Sequence, residues 1–455
     1  MNYSELGPVK MARVALVVPR SRLRSALVEV ADAAVMELDE LDRADRRSEA
    51  VPKNVRPRLS RSEPDLDKLR DREAWDLIAG EAELARRAKD AVEHGPARIL
   101  LGWVPDRELD AFAGRLAAQG CSVLRLPRPR GAEPPTRMPE QKFRRWVQPL
   151  IQTYAVVPYE DVDPSLFAVV SYVLMFGMMF GDVGHGLILA ALGGLLARTE
   201  RPGLQRIRRL WFFPVAAGLA AAAFGLLYGE AFGPTGLVPT LWLSPLDEPI
   251  RLLVAAIGAG AALIGVSYVI GIVNRWREGG SRLALYSSTG LAGAALFSGA
   301  ALFAASFVWP NATARVAGGT LAGAGLVLAF VGFKANAGEG GGAVGQAIVE
   351  AFDAVTRILA NVLSFGRLAA FGLTHAALGL VVWDGARSLW GSVPGTIMAV
   401  FLFVLGNALA FALEALVAGV QALRLEYYEL FSRVFVGQGR LFEPWQVSIA
   451  TEERP

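Results

Sequence analysis

The chain has a single cysteine, Cys121. A framework of intrachain disulfides is therefore excluded. It also lacks a phosphate loop. The glycine-rich stretch GEGGGAVG at 338–345 is not followed by Lys and Ser or Thr, and reads as a flexible loop. No nucleotide site is found elsewhere, and the sequence gives no expectation of a cofactor, a metal ion or a nucleic-acid partner. The first apolar stretch, ARVALVV, is seven residues long, too short for a secretory leader.

Long apolar runs are abundant. Of 455 residues, 53% are hydrophobic, and the mean hydropathy of +0.36 is too high for an ordinary soluble protein. The runs are confined to 166–430, whereas 1–160 is rich in charge and proline. This predicts two parts: a small cytoplasmic α/β domain with a helical arm over 1–160, and a mostly α, polytopic membrane domain with a cytoplasmic C-terminal tail over 161–455.

In the first part, 12–18 reads as a buried strand and 21–41 as a helix, from the spacing of Leu23, Leu27, Val30 and Val35. Residues 42–64 read as a flexible linker. The stretch 65–93 has no proline and reads as one charged helix, one arm of a coiled coil. A strand at 97–104, a helix at 106–119 and a strand at 121–126 follow, then a proline-rich connector at 127–139.

In the second part, 166–197 is too long for one span of about 20 residues. Gly181-Asp182 at its middle predicts a hairpin of two short spans. Further spans are expected at 211–233, 250–273, 284–309, 314–333, 347–383 and 394–430, eight in all, the last two long and tilted. The loop 198–209 holds Arg198, Arg201, Arg206, Arg208 and Arg209, and the loop 274–282 holds Arg275, Arg277 and Arg282. The loop between them, 234–249, has no Lys or Arg and carries Asp247 and Glu248. The arginine-rich loops and both termini are thus expected on the cytoplasmic side of the membrane.

The polar residues inside these spans carry the functional reading. Arg367 stays charged and costs roughly 2.5–3.5 kcal/mol in mid-span. On a continuous helix Asp353 would lie about 40° from it and about 21 Å away, with His375 about 80° round and about 12 Å to the other side. The next span carries Glu414, Gln421 and Arg424. Running antiparallel, it sets Glu414 on the outer side with His375, and Arg424 nearer the cytoplasm. Two long helices of this kind suggest a proton path in two halves. Glu414, His375 and Gln421 would form the outer half and Asp353 the cytoplasmic half, with the arginines between them. A carboxylate on a moving partner would exchange its proton at the guanidinium.

Structural readings stand beside these. Arg367 could bond helix carbonyls, His375 could be a packed histidine, and Glu414 could neutralise Arg424 or Arg367. Asp353 and Arg357 have i,i+4 spacing for an interfacial ion pair. Asp182 and His185 read as cap and turn residues, or as lining of the outer path. Asn311-Ala-Thr matches a glycosylation triplet by pattern only.

The segment SFGRLAAFGLTHAAL, Ser364 to Leu378, resembles the motif S-Y-x-R-L-x-A-L-x-L-A-H of the V-type ATPase a subunit, called subunit I in bacteria and archaea. EALVAGVQALRLEYYELF resembles that family's E-x-x-x-x-x-x-Q/H-A-L-R-L-x-x-x-E-F, and FGMMFGDVGHGLIL its first hairpin. FGLLYGEAFG, GQGRLFEPW and GWVPDREL are similar to further signatures. The resemblance implies a non-catalytic stator subunit of a rotary proton-translocating ATPase or ATP synthase. Arg367 would face a rotor ring of small carboxylate-bearing membrane subunits, with Arg424, Glu414, His375, Gln421, Asp353 and Asp182 along the path. Peripheral stalk subunits, and through them the ATPase head, would be partners, and lipid would surround it. The family's cytoplasmic arm is usually well over twice as long as the region here, and Asn361 stands where some members have histidine. A non-conducting scaffold and a self-contained proton-coupled transporter are the competing readings.

Overall fold

The structure, a computed structural model, describes residues 7–39, 55–129, 132–139, 146–148, 150–151, 155–338, 341–435, 437 and 439–450. It divides into two compact units: Met1–Pro139 with Val156–Tyr159 and Gly439–Pro455, and Glu140–Ala155 with Glu160–Gln438. The C-terminal tail, expected to trail the membrane part, instead belongs to the first unit.

The first unit is an antiparallel sheet covered by helices. Strand β1 (Met11–Pro19) lies between β5 (Ala97–Pro105) and β6 (Ser122–Leu126), while β2 (Glu37–Leu38) and β4 (Val92–His94) pair with β5. Ala12, Val14, Leu16 and Val18 alternate onto one face of β1 and are buried with Ala26, Leu27 and Val30 of α1 (Leu23–Ala33). Helix α1 is shorter than the expected 21–41, because Ala34 turns left-handed at φ 50°. The next residues return as β2, with Leu38 opposite Gly102.

Residues 42–54 of the expected linker lie outside the described residues. Arg58–Leu59, within its later part, forms β3 and pairs in parallel with β7 (Ser448–Ile449). The single charged helix expected over 65–93 is two helices, α2 (Leu66–Asp71) and α3 (Trp75–Lys89), separated where Glu73 takes φ 53°. Helix α3 buries Gly80 and Leu84 in this unit and is no free coiled-coil arm. A last helix, α4 (Leu109–Ala117), joins β5 to β6. The tail is fixed by Glu37. Its carboxylate accepts from the Arg440 guanidinium and from the Glu443 N–H at 2.9 Å. Burial pushes its pKa up, against the lowering effect of that N–H and of Arg440. Trp445 is buried and donates its backbone N–H to Met36 at 3.0 Å.

The second unit is helical. Helices α5 (Ser165–Met179) and α6 (Val183–Arg198) form the expected hairpin, and α7 (Phe212–Tyr228) packs on both. Gly186 and Gly218 let α6 and α7 touch backbone to backbone: a Cβ on Gly186 would meet Ala222 N at 2.5 Å and Gly218 O at 2.6 Å. Then come α8 (Pro249–Tyr286), α9 (Leu291–Val308), α10 (Ala312–Asn336), α11 (Gly341–Ser364), α12 (Gly366–Ser388) and α13 (Val393–Leu425). Asn311 caps α10, accepting from Ala314 N at 3.0 Å. The expected loop 274–282 is mostly helix, interrupted only at Gly279 and Gly280, and Arg275 is buried against Glu278 rather than lying in a loop. Gly341 onward is helix too, not the expected flexible loop.

Among the described residues, five stretches are long and apolar enough to cross a bilayer: Pro249–Tyr286, Leu291–Val308, Ala312–Asn336, Gly342–Ser388 and Val393–Val434. The chain is thus a multi-pass membrane protein. Helices α5, α6 and α7 have 15, 16 and 17 residues. At 1.5 Å per residue they reach about 23–26 Å, less than a hydrocarbon core of about 30 Å.

Candidate functional site

The expected seventh span is not one helix. It breaks at Phe365, whose ring is fully buried in the core of the second unit. The Leu368 N–H bonds the Phe365 carbonyl at 3.0 Å instead of reaching back to Ser364. The Ser364 carbonyl is released and accepts from Arg367 Nε at 3.0 Å. The projection of Asp353 onto the Arg367 face assumed a continuous helix and does not hold across this break. The spacing of Arg367 and His375 stands, since both lie on α12.

The Arg367 side chain is 25% exposed and pairs with Glu429, its Nη2 donating to Oε1 at 2.9 Å. Glu414 therefore does not neutralise Arg367. Glu429 lies in a π-helical turn, Glu426–Phe431, that follows α13. This wider turn buries both Glu426 and Glu429. Glu426 accepts from Ser171 Oγ at 2.6 Å. Arg433, also buried, donates to the Glu429 carbonyl and stacks over Tyr268 at 5.2 Å. Asn361, with its amide oxygen turned inward, accepts from Arg433 at 2.7 Å.

On one side of Arg367 is a buried cluster around His375. Its Nδ1 bonds Glu414, and its Nε2 lies 3.8 Å from Asp182 Oδ2. Asp182 caps α6, accepting from His185 N at 2.8 Å, and also takes the Gly233 N–H at 2.8 Å. Asp182 is thus a cap residue and a member of the cluster at once. His185 is packed among Phe180, Phe232, Phe411 and His375. A cavity of about 160 Å³ opens against His375 and Glu414.

On the other side is a cavity of about 250 Å³, lined by Tyr268, Asp353, Arg357, Asn361 and Arg433 among others. Asp353 and Arg357 are paired at i,i+4. Gln421 is half-buried, its Oε1 without a hydrogen-bond partner among the described residues, and Arg424 is exposed. Neither joins the two clusters. The sequence reading missed Glu426, Glu429 and Arg433. For Glu429 a signal existed, the acidic residue four places after the Leu of R-L in the motif. For Arg433 the sequence offers none beyond its charge.

Residues 97–291 match the V-type ATPase 116kDa subunit family. The chain is 27% identical over 364 residues to an A-type ATP synthase subunit I of Pyrococcus horikoshii, covering 76% of this chain and 53% of that one. Similarity to the protein of the same name from Thermococcus kodakarensis is 26% over 367 residues, covering 76% and 54%. For the one from Methanothermobacter thermautotrophicus it is 24% over 469 residues, covering 97% and 67%. The chain spans about half the length of the first two of these relatives.

Proposed function

We propose that this chain belongs to the V-type ATPase 116kDa subunit family, whose model matches residues 97–291, and that it is the membrane stator subunit of a rotary proton-translocating ATPase or ATP synthase. In this reading the chain has no catalytic site of its own. It crosses the bilayer eight times and lays Arg367 against a ring of small carboxylate-bearing subunits.

The observation that carries the reading is the separation of two polar clusters by one guanidinium. His375, Glu414 and Asp182 lie on one side, about 12 Å along α12 from Arg367. The cavity at Asp353, Asn361 and Arg433 lies on the other. A proton entering from one side cannot pass a fixed guanidinium, because like charge repels it in a medium of low dielectric constant. It must ride past on a ring carboxylate. That carboxylate loses its proton on meeting Arg367 and regains one from the other half-path. Glu429 holds the guanidinium in place while the ring group passes.

The lengths of α5–α7 support a short bundle spanning a locally thinned bilayer or one bordered by protein. The tail supports an even number of crossings, since it completes the same unit as the N-terminal residues. The arginine-rich stretch at 198–209 supports a cytoplasmic position for that unit. Peripheral stalks would attach there.

The test is ATP-driven acidification of vesicles holding the assembled complex, wild type beside Arg367→Gln. Acidification by wild type alone, at equal amounts of assembled ring, is the expected result. A variant that pumps as well as wild type overturns the reading.

A further inference from the structure

We propose that Asp182, His185 and His375 form a site for one zinc-class divalent transition-metal ion, with Glu414 as the group that orients His375. The site stands on the buried geometry alone and does not depend on the proton-path reading.

Each of the three residues offers a ligand atom, and these atoms lie within 4.8 Å of one another. His185 Nδ1 is 3.8 Å from Asp182 Oδ1, and His375 Nε2 is 3.8 Å from Asp182 Oδ2. In a tetrahedral site with bonds of about 2.0–2.2 Å, neighbouring ligand atoms sit about 3.3 Å apart. Small rotations of two rings close that gap.

The polar atoms that would bind are the ones left without partners. Neither ring nitrogen of His185 has a hydrogen-bond partner among the described residues, nor does His375 Nε2. The Asn407 side chain lies close enough to interact with the His185 ring, while its amide N–H is taken up by the Phe403 carbonyl at 2.9 Å. Asp182, His185 and His375 are 0%, 2% and 4% exposed. Buried polar atoms are nearly always paired, and here two ring nitrogens, His185 Nδ1 and His375 Nε2, face one carboxylate from beyond hydrogen-bond distance, which points to a ligand between them.

The surroundings are those of a built site. Glu414 binds His375 Nδ1, which fixes the tautomer and aims Nε2 at Asp182. Two backbone N–H groups, of His185 and Gly233, hold Asp182. Phe180 and Phe232 hold the His185 ring at centroid distances of 5.8 and 5.4 Å. Two imidazoles and one carboxylate suit zinc or cobalt, with a fourth position for water. Calcium and magnesium, which demand six or more oxygens, find too few here. If the proton path runs through His375 as proposed above, an ion in this site would close its outer half.

The experiment is titration of the purified, chelator-washed complex with Co²⁺, followed by visible absorption. Wild type should bind one extra equivalent per copy of this chain, with the intense bands of a tetrahedral site. Zn²⁺ should remove them and equimolar Mg²⁺ should not. His185→Gln should lose the bands, and Glu414→Gln should weaken binding by 10- to 100-fold. Arg367→Gln should bind as wild type does, which separates this site from the transport reading. X-ray absorption of zinc-loaded wild type should find two imidazoles on the metal, and needs no variant. Absence of tetrahedral bands in wild type, their retention in His185→Gln, displacement by Mg²⁺, or a zinc shell without imidazole would each overturn the proposal.

Discussion

Arg367 and Glu429 are 62 positions apart in the chain and meet at 2.9 Å. The pair links the start of α12 to the π-turn after α13. Glu429 is 6% exposed and Arg367 25%. Glu429→Gln keeps the volume and removes the charge. Breaking a fully buried pair costs about 3–5 kcal/mol. The partial exposure of Arg367 lowers the expected loss to about 1–3 kcal/mol. Arg433 still bonds the backbone carbonyl at 429, so the turn should survive. The complex should assemble and pump at least tenfold more slowly. Thermal unfolding and vesicle acidification on one preparation check this, and an unchanged pumping rate would remove Glu429 from the mechanism.

Gly186 faces the α7 backbone with no room for a side chain. Gly186→Val would drive its methyl groups into Ala222 and Gly218, at a cost of about 1–3 kcal/mol or more. The same helix holds Asp182 at its cap, so the cluster at His375 should loosen with it. Gly194, one turn from the end of the same helix, has open space where its Cβ would go. Gly194→Ala should be neutral or slightly stabilising, by up to about 1 kcal/mol. Detergent-resistant assembly of the two variants, compared side by side, should differ. Equal behaviour would mean that α6 and α7 are not packed this closely.

Asp161 sits before the first membrane helix, fully buried and close to the Glu278 carboxylate. Burial foremost, and then Glu278, pushes its pKa up to about 8. The neighbouring Val162 N–H bonds Asn274 at 2.9 Å, and Asn274 in turn bonds the Val434 carbonyl at 3.0 Å. An unfolded aspartate titrates near pH 3.9. The folded state therefore holds an extra proton from about pH 4 to about pH 8. The stabilisation is complete below that window, falls as pH rises through it, and is lost above. Asp161→Asn should flatten melting temperature against pH between 5 and 8.5 relative to wild type. A slope identical in both proteins would sink the assignment.

The helices of the second unit were legible because lipid demands long apolar runs, and those runs are visible in composition. Their ends were less so. The break at Phe365 has no proline or glycine at the break point itself, and the helix through 274–278 has a loop-like composition because Arg275 finds Glu278. The direct contact of His375 with Glu414 is a finding of the structure, but that the two lie at the same level followed from antiparallel helices. Glu429 and Arg433 did not, because a π-turn shifts the register that helical spacing assumes. In the first unit the strands at 11–19, 97–105 and 122–126 were plain from their patterns. The two-residue strands β3 and β7 were not, since a pair joined across nearly the whole chain carries no local signal.

That long-range pairing makes the last prediction. The chain leaves the first unit after Tyr159 and returns to it at Gly439. Trp445 and Val447 complete a core otherwise built from N-terminal residues such as Leu27, Leu59 and Leu84. On the proposed reading, with the first unit on one side of the membrane, the segment between Tyr159 and Gly439 crosses the bilayer an even number of times. Epitopes placed at the two termini should then be reached by antibody from the same side in sealed vesicles of one orientation. Trp445→Ala should cost the first unit about 3–5 kcal/mol and raise hydrogen exchange at Leu59, whose pairing depends on the tail. Opposite accessibility of the two epitopes would require an odd number of spans. Slow exchange at Leu59 in the variant would mean that the tail is an ornament on a core that folds without it.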